Sequence, residues 1–139
     1  MSAASDYLEN KVLDHVLKVA AYTQPSVLYV ALFNNTSGNA ATNLEAATLT
    51  DETSTTGTAY ARQAVTFAAA SGGTSATNAT ITFPTATASW GTITHVAITD
   101  NATKGSGNVL FWGAVTTSKT IDSGDTFQIT SGNLTVSLA

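Results

Sequence analysis

Beyond Pro25 the chain consists of short apolar or β-branched segments that alternate with clusters of Gly, Asn, Asp and Ser. Such clusters, for example 71–73 and 131–133, are typical of turns, because these residues tolerate positive φ or bond their own backbone. Between the clusters the sequence predicts strands at 26–33, 60–69, 79–83, 92–99, 109–115, 126–130 and 134–138. Many short strands with such turns favour a mainly β fold, an antiparallel β-sandwich or jelly-roll-like domain with one N-terminal α-helix.

The N-terminal helix is predicted over residues 5–21, with Ser5 or Asp6 as its cap. Its apolar stripe recurs at three- and four-residue spacing and is formed by Leu8, Val12, Val16 and Val19. The sequence before Pro25 is expected to end the helix. Because a lone helix of this length is marginal in water, we expect the stripe to dock on the sheet or on a neighbouring subunit. These four residues are therefore candidate interface residues.

One domain is predicted for residues 1–139, with 1–24 as the helical part and 25–139 as the β-sandwich. A long polar stretch, residues 34–59, interrupts the strands and is called the polar segment below. Within it, residues 44–49 are expected to form a helical turn or an edge strand. A connection this long is unusual in a compact domain, so we expect contacts with other chains to order most of it.

Charged residues make up only 10% of the chain, against about 25% in an average soluble domain. A surface with so few charges suits a permanent assembly, in which each buried charge would need a partner. The net charge of −4, with five Lys and Arg, argues against nucleic acid as a partner. No stretch is long and apolar enough to span a membrane, and no secretory signal is recognised. We expect a soluble chain made in a cytoplasm.

Few residues are available for catalysis, since the chain has no Cys and its histidines are His15 and His95. Both are expected to be structural, His15 on the helix surface and His95 on a strand. Residues 122–125 resemble part of a calcium loop but lack its distal Glu, and residues 105–107 resemble an anion-binding loop but precede no helix. The sequence thus predicts no catalytic residue, no cofactor and no metal site.

Arg62 and Trp90 complete the set of candidate interface residues. Arg62 is the chain's single arginine, and its fork of five donors suits an interface or a buried salt bridge. Trp90 begins a strand and is expected in the core or in a subunit contact, with a sugar-stacking role as the alternative. Trp112 lies in an apolar run and is expected in the core.

Several stretches of the sequence resemble a family of small virion proteins of tailed bacteriophages, which are tail-fibre-like or particle-surface decoration proteins. The stretches that carry the resemblance are 2–11, 28–33, 60–67, 83–86, 90–95 and 113–138. The resemblance implies a virion component without an active site. It also implies binding to copies of itself and to other virion proteins, such as the major capsid protein or tail proteins.

Three functions are compatible with these features. The compact size and the lack of a long stalk favour a capsid decoration (cement) protein that stabilises the shell. The alternative is a tail-fibre or tail-tip protein that contributes to host adsorption. A weaker alternative, of another class, is a carbohydrate-binding module that uses Trp90.

Overall fold

The computed structural model describes residues 2–138, so Met1 and Ala139 of the predicted domain lie outside the described range. Within that range the helices are α1 (Asp6–Val16) and α2 (Ala40–Glu45). The strands are β1 (Ala3–Ala4), β2 (Leu28–Phe33), β3 (Gln63–Val65), β4 (Thr74–Ala76), β5 (Ile81–Thr82), β6 (Gly91–Thr99), β7 (Val109–Ile121), β8 (Gln128–Ile129) and β9 (Thr135–Ser137). The predicted class, mainly β with an antiparallel sheet and an N-terminal helix, is confirmed.

A central antiparallel sheet holds five strands in the order β1-β7-β6-β2-β3. The inner strand β2 is covered on both faces: Val30 and Leu32 belong to one core cluster, and Ala31 and Phe33 to the other. All four side chains are fully buried. Because alternate residues of a strand point to opposite faces, this explains why β2 is apolar at nearly every position.

Two short ladders, β4 with β9 and β5 with β8, cover one face of the central sheet. Ile81 and Phe83 from this layer pack with Trp90 and with sheet residues such as Ile98 in the larger core cluster. The result is a sandwich-like stack of a five-stranded sheet on two small ladders. Of the two architectures expected, the sandwich describes it better than the jelly roll, which has two larger sheets.

The opposite face of the sheet, called the α2 side below, is covered by α2. Leu44 of α2 packs against Phe33 and Ala97 in the second core cluster. Helix α1 begins on this same side, because the carboxylates of Asp6 and Glu9 lie within 4.8 Å of that of Glu45. No helix among the described residues is long and apolar enough to cross a membrane.

Helix α1 starts as predicted and ends earlier. Ser5 is the cap, and its hydroxyl accepts the Leu8 N–H at 3.3 Å. The expected end near Pro25 is wrong, since the last helical residue is Val16 and Lys18 adopts a left-handed φ of 59°. The N–H groups of Lys18 and Val19 then bond the carbonyls of His15 and Asp14. This Schellman closure satisfies the last carbonyls, so Val19 lies outside the helix.

The polar segment is anchored by its own chain, contrary to the expectation that other chains order most of it. Its Leu44 is 0% exposed, and residues 44–45 end a short helix, as one of the two expectations for 44–49 proposed. The Thr53 N–H bonds the Leu32 carbonyl at 2.9 Å, and the Asn34 N–H bonds the Asp51 carbonyl at 3.0 Å. A few inward-facing residues thus suffice to hold a stretch whose average composition is polar.

Strand limits differ from expectation at several places. The predicted strand 60–69 shrinks to Gln63–Val65, while Phe67 forms an isolated bridge with Thr77. β7 runs six residues past its predicted end, to Ile121, and its far part pairs with the start of β6. β4 was not predicted, since Thr-Ser-Ala carries no apolar pattern and depends on pairing with β9.

Candidate functional site

The only salt bridge among residues 2–138 joins Arg62 to Glu52, and both side chains are fully buried. The Nε and Nη2 atoms of Arg62 donate to the two carboxylate oxygens of Glu52, at 2.7 and 2.8 Å. Its Nη1 donates to the Thr99 hydroxyl and to the carbonyls of Asn101 and Ser106. The planar guanidinium suits this two-pronged geometry. Arg62 therefore ties the polar segment to the loop between β6 and β7.

Glu52 has two further donors. The Tyr60 hydroxyl donates to it at 3.0 Å, and the Gly105 N–H at 2.9 Å. The loop 105–107, considered above for an anion, thus supplies an N–H to an internal carboxylate. Burial, and next the charge of Glu52, raise the pKa of Tyr60 above its usual range, so its hydroxyl stays protonated and donates.

The Arg62–Glu52 pair serves the fold rather than chemistry on a ligand. Each of the three guanidinium nitrogens and both carboxylate oxygens already has a partner. A buried pair that is this fully bonded holds one conformation, and removal of one member would leave an uncompensated charge. Of the two roles expected for Arg62, the structure places it in the buried salt bridge.

Trp90 lies in the core and is 2% exposed. Its Nε1 donates to the Thr58 carbonyl at 2.8 Å, and its ring meets those of Tyr60 and Phe83 edge-on. No face of this indole is open to a sugar ring, so Trp90 does not form the stacking platform considered above. Trp112 is half-buried, and its Nε1 donates to Glu45 of α2 at 2.7 Å.

The two histidines lie on different elements with different partners. The Nδ1 of His15, on α1, accepts the Tyr22 N–H at 3.1 Å. His95, on β6, has its Nδ1 2.9 Å from the Thr94 hydroxyl and its ring beside that of Trp112. Burial lowers the pKa of His95, which favours the neutral imidazole. No hydrogen bond within residues 2–138 joins either imidazole to a carboxylate, so no acid–base pair is assembled there.

The acidic turn residues also have local partners. Asp100 accepts the N–H and the side-chain amide of Asn108, while Asp125 accepts the Asp122 N–H at 2.9 Å. Residues 122–125 therefore form a turn.

Three further carboxylates, those of Asp6, Glu9 and Glu45, converge at the start of α1. Glu45 already accepts a hydrogen bond from Trp112.

An apolar strip faces solvent at the end of α1. Its members are more than half exposed, at 55%, 69%, 67% and 73% for Leu13, Val16, Leu17 and Val19. Of the predicted interface residues, Val16 and Val19 belong to this strip, whereas Leu8 is buried within the chain and Val12 is partly buried. Leu8 faces β7. Leu13 and Leu17 lie on the opposite side of the helix, so they face solvent and join the strip.

An apolar groove opens on the other layer, beside β7. β1 pairs with β7 only at Phe111 and Trp112, so from Gly113 onward that edge of β7 has no strand partner within the described residues. The groove has a cavity volume of about 160 Å³ and reaches the interior between the layers. Its apolar walls are Phe111, Val115, Phe127, Ile129, Leu134 and Val136. None of the described residues that line it is charged.

Sequence reasoning missed Glu52 and the groove. Glu52 follows Asp51 in a polar stretch and carries no local signal, although a single arginine in a chain with so few charges does call for an acidic partner. The groove is formed by Ser2, by residues 96–98 of β6 and by residues between 111 and 136 on β7, β8, β9 and the turns between them. No periodicity in one segment reveals such a surface.

The described residues therefore present a fully bonded buried ion pair, an exposed apolar strip and an open apolar groove. No curated protein matches the chain. A family model described as Podophage GP4 fiber I protein gp80 matches residues 3–137. Because this match spans nearly the whole sequence, the chain belongs to that family and is a structural protein of the phage virion, where it associates with other virion components.

Proposed function

We propose that this chain is a non-catalytic building block of a tail fibre, which contacts neighbouring virion subunits through the apolar strip. The description of its family as a fibre protein supports the fibre over the shell. This is the second of the virion roles expected from the sequence. Only the size of the chain favours the capsid decoration role, and no contact within the chain supports it further.

The apolar strip is the observation that carries the proposal. Complete burial of one aliphatic side chain is worth about 1.5–3 kcal/mol, and the strip leaves four of them mostly in water. Contiguous apolar patches on a soluble protein mark interaction sites. A virion neighbour that covers the strip would recover this free energy, and the low charge of the chain reduces the desolvation penalty of such a contact.

The non-catalytic part of the proposal rests on the side-chain partners. The Arg62–Glu52 pair is saturated by the protein itself, and the two histidines, Asp100 and Asp125 have separate partners. The three carboxylates at the start of α1 converge, but this group includes no histidine of the described chain. A general acid or base must lie within hydrogen-bond reach of the proton that it transfers. Trp90 supports no sugar-binding role either, because it is buried under Tyr60 and Phe83.

The test is cryo-electron microscopy of particles that carry the Leu13→Ser/Leu17→Ser double variant of this chain. We expect tails without this fibre component, while the isolated variant still folds. Leu138→Ser is the matched control, since Leu138 is 59% exposed and lies outside the strip; it should leave fibres intact. Density for the chain over the shell in wild-type particles would overturn the fibre assignment in favour of decoration.

A further inference from the structure

We infer that the apolar strip of one copy of this chain docks in the apolar groove of a second copy, in a head-to-tail contact. The inference rests on the proposed function, because it names the partner of the strip. The contact joins two different surfaces of the same chain. Each copy therefore offers one strip and one groove, and the pattern can repeat from copy to copy.

The positions of the two surfaces exclude a contact within one chain. Helix α1 begins on the α2 side of the central sheet, beside Glu45. The groove is lined on the other side by Ile129 of β8, Val136 of β9 and Leu134 just before β9, which pack on the opposite core cluster. The strip is mostly exposed and the groove is open in the single chain, so the two surfaces do not meet within one copy.

The chemistry of the two surfaces matches. The strip presents Leu13, Val16 and Leu17 at i, i+3 and i+4, the spacing with which a helix anchors in an apolar groove. The groove is lined by aliphatic and aromatic side chains and by no charged residue of the described chain, and its cavity of about 160 Å³ has room for a branched aliphatic side chain. A convex aliphatic helix is thus the occupant that this groove suits.

The area involved argues against the simplest alternative, a two-fold contact of strip on strip. A stable interface buries about 800 Å² per partner, and the four side chains of the strip do not supply that area by themselves. A strip paired with another strip would leave the groove open, so it would bury only one of the two apolar surfaces of each copy. In a head-to-tail ring every copy buries both surfaces, so each gains from two contacts.

Sedimentation velocity of the purified chain tests this contact. Leu17→Asp disables the strip. Thr116→Arg and Thr135→Arg obstruct the groove from exposed positions on its rim, so neither change removes a core side chain. We expect the wild type to form oligomers larger than a dimer as concentration rises, and each variant alone to stay at the single-chain mass of 14.2 kDa.

Mixing separates the possible arrangements. An equimolar mixture of Leu17→Asp with Thr116→Arg retains one intact strip and one intact groove, so it should form a dimer and nothing larger. Leu138→Asp should behave as the wild type. A wild type that stays monomeric, a mixture that does not associate, or a Thr116→Arg chain that dimerises with itself would each overturn the inference. If the inference fails in one of these ways but the Leu13→Ser/Leu17→Ser particles still lack the fibre, the proposed function stands. Another virion protein then covers the strip.

Discussion

The polar segment and the apolar strip differ in burial, and the difference is the opposite of what their compositions suggest. The polar segment, residues 34–59, is rich in Asn, Thr and Ser, yet Leu44 and Thr53 in it are among the most completely buried side chains of the protein. The strip near the end of α1 is aliphatic, yet its four side chains are mostly exposed. Average composition therefore did not decide burial in either region; the surface that faces each residue did.

Two physical causes produce the difference. In the polar segment each buried polar group has a partner, as when the Thr53 hydroxyl and N–H both bond the Leu32 carbonyl, which removes the penalty for burying it. In α1, Leu8 is the buried anchor, whereas the side chains at the end of the helix, Val16 and Leu17, are mostly exposed. The comparison predicts that substitutions in the polar segment affect the isolated chain, whereas those in the strip affect assembly.

Glu52→Ala should have the largest effect on the isolated chain. It leaves the Arg62 guanidinium buried without its counter-charge, which typically costs about 3–5 kcal/mol of stability. Urea unfolding followed by tryptophan fluorescence measures the loss. Glu9→Ala is the control, because Glu9 is an exposed carboxylate on α1. Equal unfolding midpoints for the two variants would mean that the ion pair does not hold the polar segment.

Leu44→Ala and Leu17→Ala compare the two regions with the same substitution. Leu44 is fully buried, so its truncation should cost about 2–5 kcal/mol of unfolding free energy. Leu17 is exposed in the strip, so its truncation should change the isolated chain by less than about 0.5 kcal/mol. Thermal unfolding of both variants decides the matter. If Leu17→Ala proved as destabilising as Leu44→Ala, the strip would be part of the core and not a docking surface.

Tyr60→Phe should have a smaller effect. The ring remains in the aromatic cluster, but the Leu32 N–H loses its acceptor and Glu52 loses a donor, which costs about 2 kcal/mol. Amide hydrogen exchange should become faster at Leu32 and at neighbouring residues of the polar segment. Tyr7→Phe, at a partly buried tyrosine of α1, serves as the matched control and should leave these exchange rates unchanged.

The pH dependence of stability should show the smallest effect. Burial lowers the pKa of His95 below the ordinary value of about 6.5, so the unfolded chain takes up a proton first as the pH falls. Stability should thus decline as the pH falls below about 6.5 and level off below the folded-state pKa. His95→Gln should flatten this slope in urea titrations, whereas His15→Gln should retain it. A slope that persists in His95→Gln would assign it to other groups.

Local patterns in the sequence determined the class of the fold. The alternating turns and β-rich segments predicted a mainly β protein, and the apolar run of β2 predicted a strand covered on both faces. Ser5 predicted the helix start because a cap acts within one turn. The stretches that resemble tailed-phage virion proteins predicted the family, which the match over residues 3–137 confirmed. Each of these features depends on neighbours in sequence or on the whole chain as a pattern.

Only the tertiary structure decided which surfaces stay open. Arg62 forms hydrogen bonds with Glu52, ten residues away in the sequence, and with Thr99, 37 residues away. The groove brings together Ser2, near the N-terminus, and residues between 96 and 136. The early end of α1 likewise depends on a left-handed Lys18 that no residue type announces. Burial is a property of the surfaces brought together by folding, so a linear pattern predicts which residues could be buried and not which of them find a partner.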